Sequence, residues 1–439
     1  MKTLFFKYWD RLRSGFWFLP SLMIAASTAL AFGACALDEH VSVKDLQGFS
    51  WIYSGGAAGA SAMLQTIASS MVSITGVVFS MTLVALTLAS SQFGPRLLRN
   101  FMRDRVNQMV LGTFISTFLY CLLVLRTIRR PDEGAFVPHV SVTLGLAFAL
   151  TSVCVLVYFI HHVAVSIQVD EIVVRVSAEL TRGIDRLFPA EAGSAPNPAG
   201  EPIPMNFAAE ASPVPTTEGG YLQLVDSDTL LKLAQNSDAI IQIERTPGAY
   251  FMPGDGLAAV WPAARITPEF TETLQSAFVF GKQRTPAQDV VFPIHELVEI
   301  AVRALSPGIN DPFTAITCID RLGTALLELA QRPSPSPLRH DEKGRLRVIA
   351  FPATFRQVTD EAFDQIRQYG RTCAPVTIRL LTTIAAIARQ TRDPAKLAVL
   401  QRQADMIMRG TGEGLPAIED RKLAEEHFMV VSRLTAREV

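Results

Sequence analysis

The chain has 439 residues, a formal net charge of -1, only 18% charged residues and a mean hydropathy of +0.26. That is too apolar for an ordinary soluble protein of this length and points to a membrane class. The near-neutral balance without long Lys/Arg blocks argues against a nucleic-acid partner, and five cysteines with neither a CxxC pair nor regular spacing indicate no disulfide framework or zinc knuckle.

Charged residues are absent between Arg13 and Asp38, Asp45 and Arg96, Arg105 and Arg126, and Glu133 and Asp170. Each gap holds one apolar run of the length a spanning helix needs, about 20 residues: residues 16–37, 63–93, 106–125 and 140–161. The first run follows Lys2, Lys7, Arg11 and Arg13 and ends at Ala34-Cys35-Ala36, which looks like a signal-peptidase site. Its apolar core exceeds the roughly 7–15 residues of a signal peptide, so it is read as a retained span.

Lys/Arg bias sets the orientation. The N-terminal cluster and the connection with Arg96, Arg99, Arg103 and Arg105 belong in the cytoplasm, which places both termini inside. The opposite loops carry Lys44, Arg126, Arg129 and Arg130, partly offset by Asp38, Glu39, Asp45, Asp132 and Glu133. Trp9, Phe16, Trp17 and Phe18 at one end, and Trp51 and Tyr53 at the other, suit interfacial aromatic belts.

The second run is longer than a bilayer requires, which predicts tilt or projection into water. It also carries ten hydroxyl residues among residues 66–91. At 100° per residue Thr66, Ser73, Ser80 and Thr87 recur every seven positions as one stripe, flanked by Ser69, Gly76 and Ser90. Ile67, Ile74, Val78, Met81, Ala85 and Leu88 fall on the other side. A small-residue seam between helices explains such a stripe, and similar spacing occurs at Ala25, Ala29 and Gly33 and at Gly112 and Ser116. A water-filled path explains it too, because polar groups at bilayer depth face protein or water. A path of this kind requires a symmetric homo-oligomer with this helix nearest the axis.

Beyond His161 the apolar positions Val169, Ile172, Val173, Val176, Leu180, Ile184 and Leu187 keep a helical period, which predicts a stalk continuing the fourth span. Residues 189–218 lack periodicity and read as a linker. Residues 221–225, 239–244 and 256–261 read as short strands around a helix at 229–235. Helical patterns follow at 267–279, 293–305, 314–330, 359–368, 376–389, 394–408 and 421–433, interrupted by a hairpin at Gly344.

The run Arg303-Ala-Leu-Ser-Pro-Gly-Ile-Asn-Asp-Pro-Phe-Thr-Ala315, preceded by Gln288-Asp289, resembles the domain-of-unknown-function 2254 family of predicted bacterial membrane proteins. The four apolar runs and Gly220-Tyr221-Leu222-Gln223 look like that family as well, so the resemblance covers the chain to about residue 410. It implies membrane topology and a bacterial source, and it transfers no catalytic residues. Physically the run reads as a helix junction: Pro307 and Gly308 stop one helix, and Asp311 caps the next before Pro312. The functional alternative is an anion or a partner's carboxylate on the free N–H groups of the new helix, with Arg303, Ser306, Asn310, Asp311 and Thr314 as the ligand-binding set.

His295-Glu296-Leu-Val-Glu299 lacks the second histidine of HExxH and reads as a surface helix. His161 and His162 diverge on a helix and suggest at most an interfacial anchor or a pH-sensitive collar. Glu361 and Asp364 read as a solvated face. Walker A, GxGxxG, GxSxG and Cys/His signatures are absent from the sequence, so no enzyme, metal or cofactor is expected.

The sequence therefore describes a mainly α integral membrane protein of six segments: a four-helix transmembrane domain (1–162), a helical stalk (163–188), a linker (189–218), a small cytoplasmic α/β module (219–290), a helical cytoplasmic domain (291–412) and a helical tail (413–439). Its expected setting is the bacterial inner membrane, its partners lipid and further copies of itself. Its expected role is an oligomeric pore passing ions or small solutes and gated by the cytoplasmic region, with a poreless sensor or scaffold as the alternative.

Overall fold

The computed structural model describes residues 17–40, 51–93, 104–129, 136–189 and 201–436. The basic N-terminal cluster, Trp9, Phe16, Lys44, Asp45, Arg96, Arg99, Arg103, Arg130, Asp132 and Glu133 lie outside the described residues, as does the side chain of Ser90. The chain divides into two compact units, residues 1–168 and 169–439, and it is mostly helical.

The first unit holds four helices long and apolar enough to cross a membrane: α1 (Phe18–His40), α2 (Ala57–Phe93), α3 (Arg105–Leu125) and α4 (His139–Ser166). Each fills one gap in the charge distribution. Helix α3 is central: half of its most apolar window is buried, and α1, α2 and α4 all pack on it. Without a hydrophobic drive between helices in lipid, close approach and hydrogen bonds hold such a bundle together. Gly112 supplies the approach, since a Cβ there would stand 2.6 Å from Met23 Sδ and 3.3 Å from Pro20 Cα. Gly145 does the same for Leu64, whose Cδ2 would be 2.9 Å away. Ser27 donates to the Ser116 carbonyl at 2.8 Å, and the Thr117 and Ser152 hydroxyls meet at 3.2 Å. The Gly112/Ser116 seam is thus real, whereas Ala25, Ala29 and Gly33 lie on the exposed side of α1. There α1 buries Pro20, Ser27, Ala31 and Ala34 instead.

The fourth span does not run on as a stalk. It ends at Ser166, and a separate helix α5 (Val169–Leu187) begins after Ile167 and Gln168. Its apolar stripe of Ile172, Val173, Val176, Leu180 and Ile184 is buried inside the second unit, against α9 and α10 described below. A stripe this apolar needs a partner, so the stalk expectation is corrected.

The second unit continues with a short helix α6 (Phe207–Glu210), β1 (Ser212–Pro215), β2 (Gly220–Val225), α7 (Ser227–Asn236), β3 (Ile240–Ile243), β4 (Tyr250–Phe251), β5 (Gly256–Trp261), α8 (Pro268–Ser276) and β6 (Phe278–Gly281). Then come α9 (Val291–Ala304), α10 (Pro312–Gln331), β7 (Leu338–His340), β8 (Leu346–Ile349), α11 (Phe355–Gly370), α12 (Ala374–Gln390), α13 (Pro394–Gly414) and α14 (Ile418–Thr435). One sheet has the order β1-β5-β3-β8-β7, with β3 and β8 parallel in the register Ile241 to Val348; the other is β4-β2-β6.

Three expectations change here. The linker contains β1, which pairs with β5 from Ser212–Val260 to Pro215–Gly256. The predicted helix at 267–279 stops at Ser276, and Phe278–Gly281 turns into a strand beside β2. The Gly344 hairpin, with Gly344 at φ +78°, is part of the sheet of the α/β module, so that module recruits residues well outside 219–290.

Candidate functional site

Helix α2 buries Ala60, Leu64, Ile67, Ala68, Met71, Val78 and Ala85 against its own bundle. Positions 60, 64, 67, 71, 78 and 85 step by three, four or seven residues, which makes a seam of coiled-coil type. Thr66, Ser69, Ser73, Gly76, Ser80 and Thr87 are exposed, and at 100° per residue they lie about 180° from that seam. Among the described residues the hydroxyl stripe is therefore not a packing surface. On the bulky side Met81 and Leu88 are also exposed, so the buried seam is narrower than the apolar face. Val77 and Val84 border the stripe on one side, Val72 and Leu83 on the other, all exposed.

Several of these hydroxyls are satisfied by their own helix. Thr66 donates to the Ala62 carbonyl at 2.7 Å, Ser69 to Gln65 at 2.8 Å, Ser73 to Ser69 at 3.2 Å and Thr87 to Leu83 at 2.9 Å. Bonding back one turn removes the donor's need for a partner and leaves oxygen lone pairs facing outward.

Polar side chains that the sequence reading did not connect tie the ends of the bundle. The Asp38 carboxylate, from the last turn of α1, accepts from the Val140 and Ser141 amides at 2.9 Å and from the Ser141 hydroxyl at 2.7 Å. It caps α4 from another helix, where negative charge is favourable. Asp38 is thus committed to structure rather than displayed as an attractor for cations. At the other end Asp104 caps α3 through the Val106 amide and binds His162 Nε2 at 2.6 Å. His162 is an inter-helix tie, while His161 is exposed.

In the second unit the Arg303–Thr314 junction is as predicted in shape. Ser306 and Asn310 close the turn, with Asn310 at φ +51°, and the Asp311 amide donates to the Ala304 carbonyl at 2.7 Å. The Asp311 carboxylate accepts from the Phe313 and Thr314 amides at 3.1 and 3.2 Å and from the Thr314 hydroxyl at 2.5 Å. That hydroxyl bond, with the amides, holds its pKa below the usual carboxylate range. The N–H groups that an external anion would need are occupied by Asp311, and Arg303 pairs with Glu299 one turn back. That arrangement favours the helix-junction reading of this run over the anion reading.

The flanking helix α9 is not a surface helix. Glu296 is buried, and His295 sits in a polar chain: Arg284 donates to Asp289 at 2.8 Å and to His295 Nδ1 at 2.9 Å, and His295 Nε2 meets Glu361 at 2.6 Å. Guanidinium has donors only, so Nδ1 is the accepting nitrogen and Nε2 carries the proton toward Glu361. Asp289 also caps α9 through Val291 and Phe292, and burial pushes its carboxyl above the usual range against the pull of Arg284. Asp364 likewise bonds Arg367 and Gln403. Glu361 and Asp364 are tertiary ties rather than a solvated face. Among the described residues no group of His, Cys, Asp and Glu is arranged to hold a metal ion.

Comparison with known proteins agrees with this architecture at the level of the family. No solved structure matches the chain. The uncharacterized proteins Mb1321c of Mycobacterium bovis and Rv1290c of Mycobacterium tuberculosis are each 33% identical to it over 421 residues, which cover 94% of this chain and 79% of theirs. Residues 13–386 match the predicted membrane proteins of family DUF2254. With its four candidate spans and this match over most of its length, the chain belongs to the DUF2254 family of predicted membrane proteins.

Proposed function

We propose that the protein is an oligomeric channel-like protein of the bacterial inner membrane, with both termini cytoplasmic, that passes ions or small solutes along the hydroxyl face of α2. One observation carries this reading: the stripe of Thr66, Ser73, Ser80 and Thr87 faces away from the bundle's own packing seam through the depth of the span. Copies arranged about an axis bring the stripes together, and the valines on either side seal neighbouring subunits. Hydroxyl oxygens without fixed charge offer partial dehydration rather than tight binding, which suits passage. The Asp38 carboxylate is spent on α4 and adds no free charge to the path. The second unit then serves as the cytoplasmic gating or sensing domain, and no catalytic step is assigned to it.

A poreless membrane-anchored sensor is the second reading. The back-bonded hydroxyls favour it, because a hydroxyl satisfied by its own helix tolerates lipid. Flux through liposomes holding the purified protein separates the two. A conduit predicts solute flux that Ser80→Leu and Thr87→Leu reduce at least tenfold while the oligomer stays intact. Equal flux through well-assembled variants, or none above empty liposomes, leaves the sensor reading.

A further inference from the structure

Helices α11, α12 and α13 line a half-open pocket of about 380 Å³, at the small end of the range of about 300–1,000 Å³ for organic-ligand pockets. Arg367, Arg371 and Arg409 line it, with Thr377 and Thr411 among the other polar groups and Leu380, Met406 and Ile407 as apolar wall. Three arginines at one pocket concentrate positive charge there, which an anion would offset. Asp364 offsets part of that charge by pairing with Arg367 at 3.3 Å. Arg371 and Arg409 make no ion pair among the described residues. The Nε of Arg367 is buried without a hydrogen-bond partner. The Nε atoms of Arg379, Arg402 and Arg421 are buried and unpartnered too, so this atom adds no specific sign of a ligand beyond the arginine cluster itself.

The backbone holds this wall in place. A Cβ on Gly414 would lie 2.2 Å from the Arg371 carbonyl, and one on Gly370 would lie 2.6 Å from Val376 Cγ1. Both helix ends can come this close only with glycine there. Thr377, in the first turn of α12, lines the same pocket. The positive end of that helix dipole adds to the arginine field.

We propose that this cavity is a binding site for a small phosphate monoester with an apolar or aromatic body, such as a nucleoside monophosphate. The arginines take the dianionic phosphate, for which their planar donor forks are suited, and the Leu380, Met406 and Ile407 wall takes the body. The inference is independent of whether α2 lines a conduit.

Calorimetric titration of the full chain in detergent tests it, with AMP, inorganic phosphate and adenosine as probes. AMP should bind one per chain and phosphate should compete for the same site, while adenosine binds at least tenfold more weakly than AMP. Arg371→Gln and Arg409→Gln, whose side chains are on exposed residues, should each weaken AMP at least tenfold with unchanged melting temperature. Absence of AMP binding, equal affinity for adenosine, or undiminished affinity in both folded variants would overturn the assignment.

Discussion

At the scale of single residues, two aspartates with similar local geometry are expected to differ in weight. Asp311 caps α10 at the surface of its junction, so Asp311→Ala should cost about 1 kcal/mol, the usual value of an N-cap. Because its pKa lies below the ordinary range, that contribution is present above about pH 4 and is lost as the pH falls through the folded-state value. Asp289 is 4% exposed and holds both the α9 amides and Arg284. Asp289→Ala removes the cap and leaves Arg284 short of its counter-charge, so it should cost about 3 kcal/mol or more. Urea denaturation of the two variants at pH 7 measures the difference, and equal losses would contradict the burial argument. Neither the cap by Asp38 on α4 nor the Arg284–Asp289–His295–Glu361 chain was legible in the sequence. Their members are up to about a hundred positions apart, and nothing in spacing alone pairs them.

Between elements, glycine decides which helices touch. Gly112→Leu should drive α1 off α3 and lower the melting temperature in detergent, at a cost of about 1–3 kcal/mol for overpacking. Gly33→Leu should leave it unchanged, because a Cβ at Gly33 meets nothing within 4 Å. Both glycines looked alike as small-residue spacing, and only the placement of α3 between α1, α2 and α4 separates them. Helix existence was easy to read because apolar period and charge gaps recur over whole spans. The short strands β1, β4 and β6 were hidden: β1 is a stretch of four residues of which two are prolines, β4 has only two residues, and β6 continues an apolar helical pattern.

At the scale of the whole molecule, the division falls at Gln168 and Val169, so the helix read as a stalk and part of the segment read as a linker belong to the second unit. A fragment starting at Val169 should therefore express as a folded, cooperative domain, whereas one starting at Gly219 loses α5 and β1. The shorter piece would expose the buried faces of α9 and α10 to solvent and the β5 edge to new pairing. Circular dichroism melts of the two fragments check this. A sharp transition in the shorter one would show that α5 is dispensable.

The sequence by itself determined the four spans, the helical bulk of the second unit and the family, because hydropathy, charge gaps and the ALSPGINDPFTA run are local and repeat over many residues. Only the tertiary structure decided which face of each helix is used. It turned the hydroxyl stripe of α2 outward, filled the Asp311 junction with its own carboxylate and gathered three arginines around one cavity. The physical reason is that a helical period fixes which residues share a face but not what that face meets. That depends on long-range packing, where one glycine or one carboxylate selects the partner.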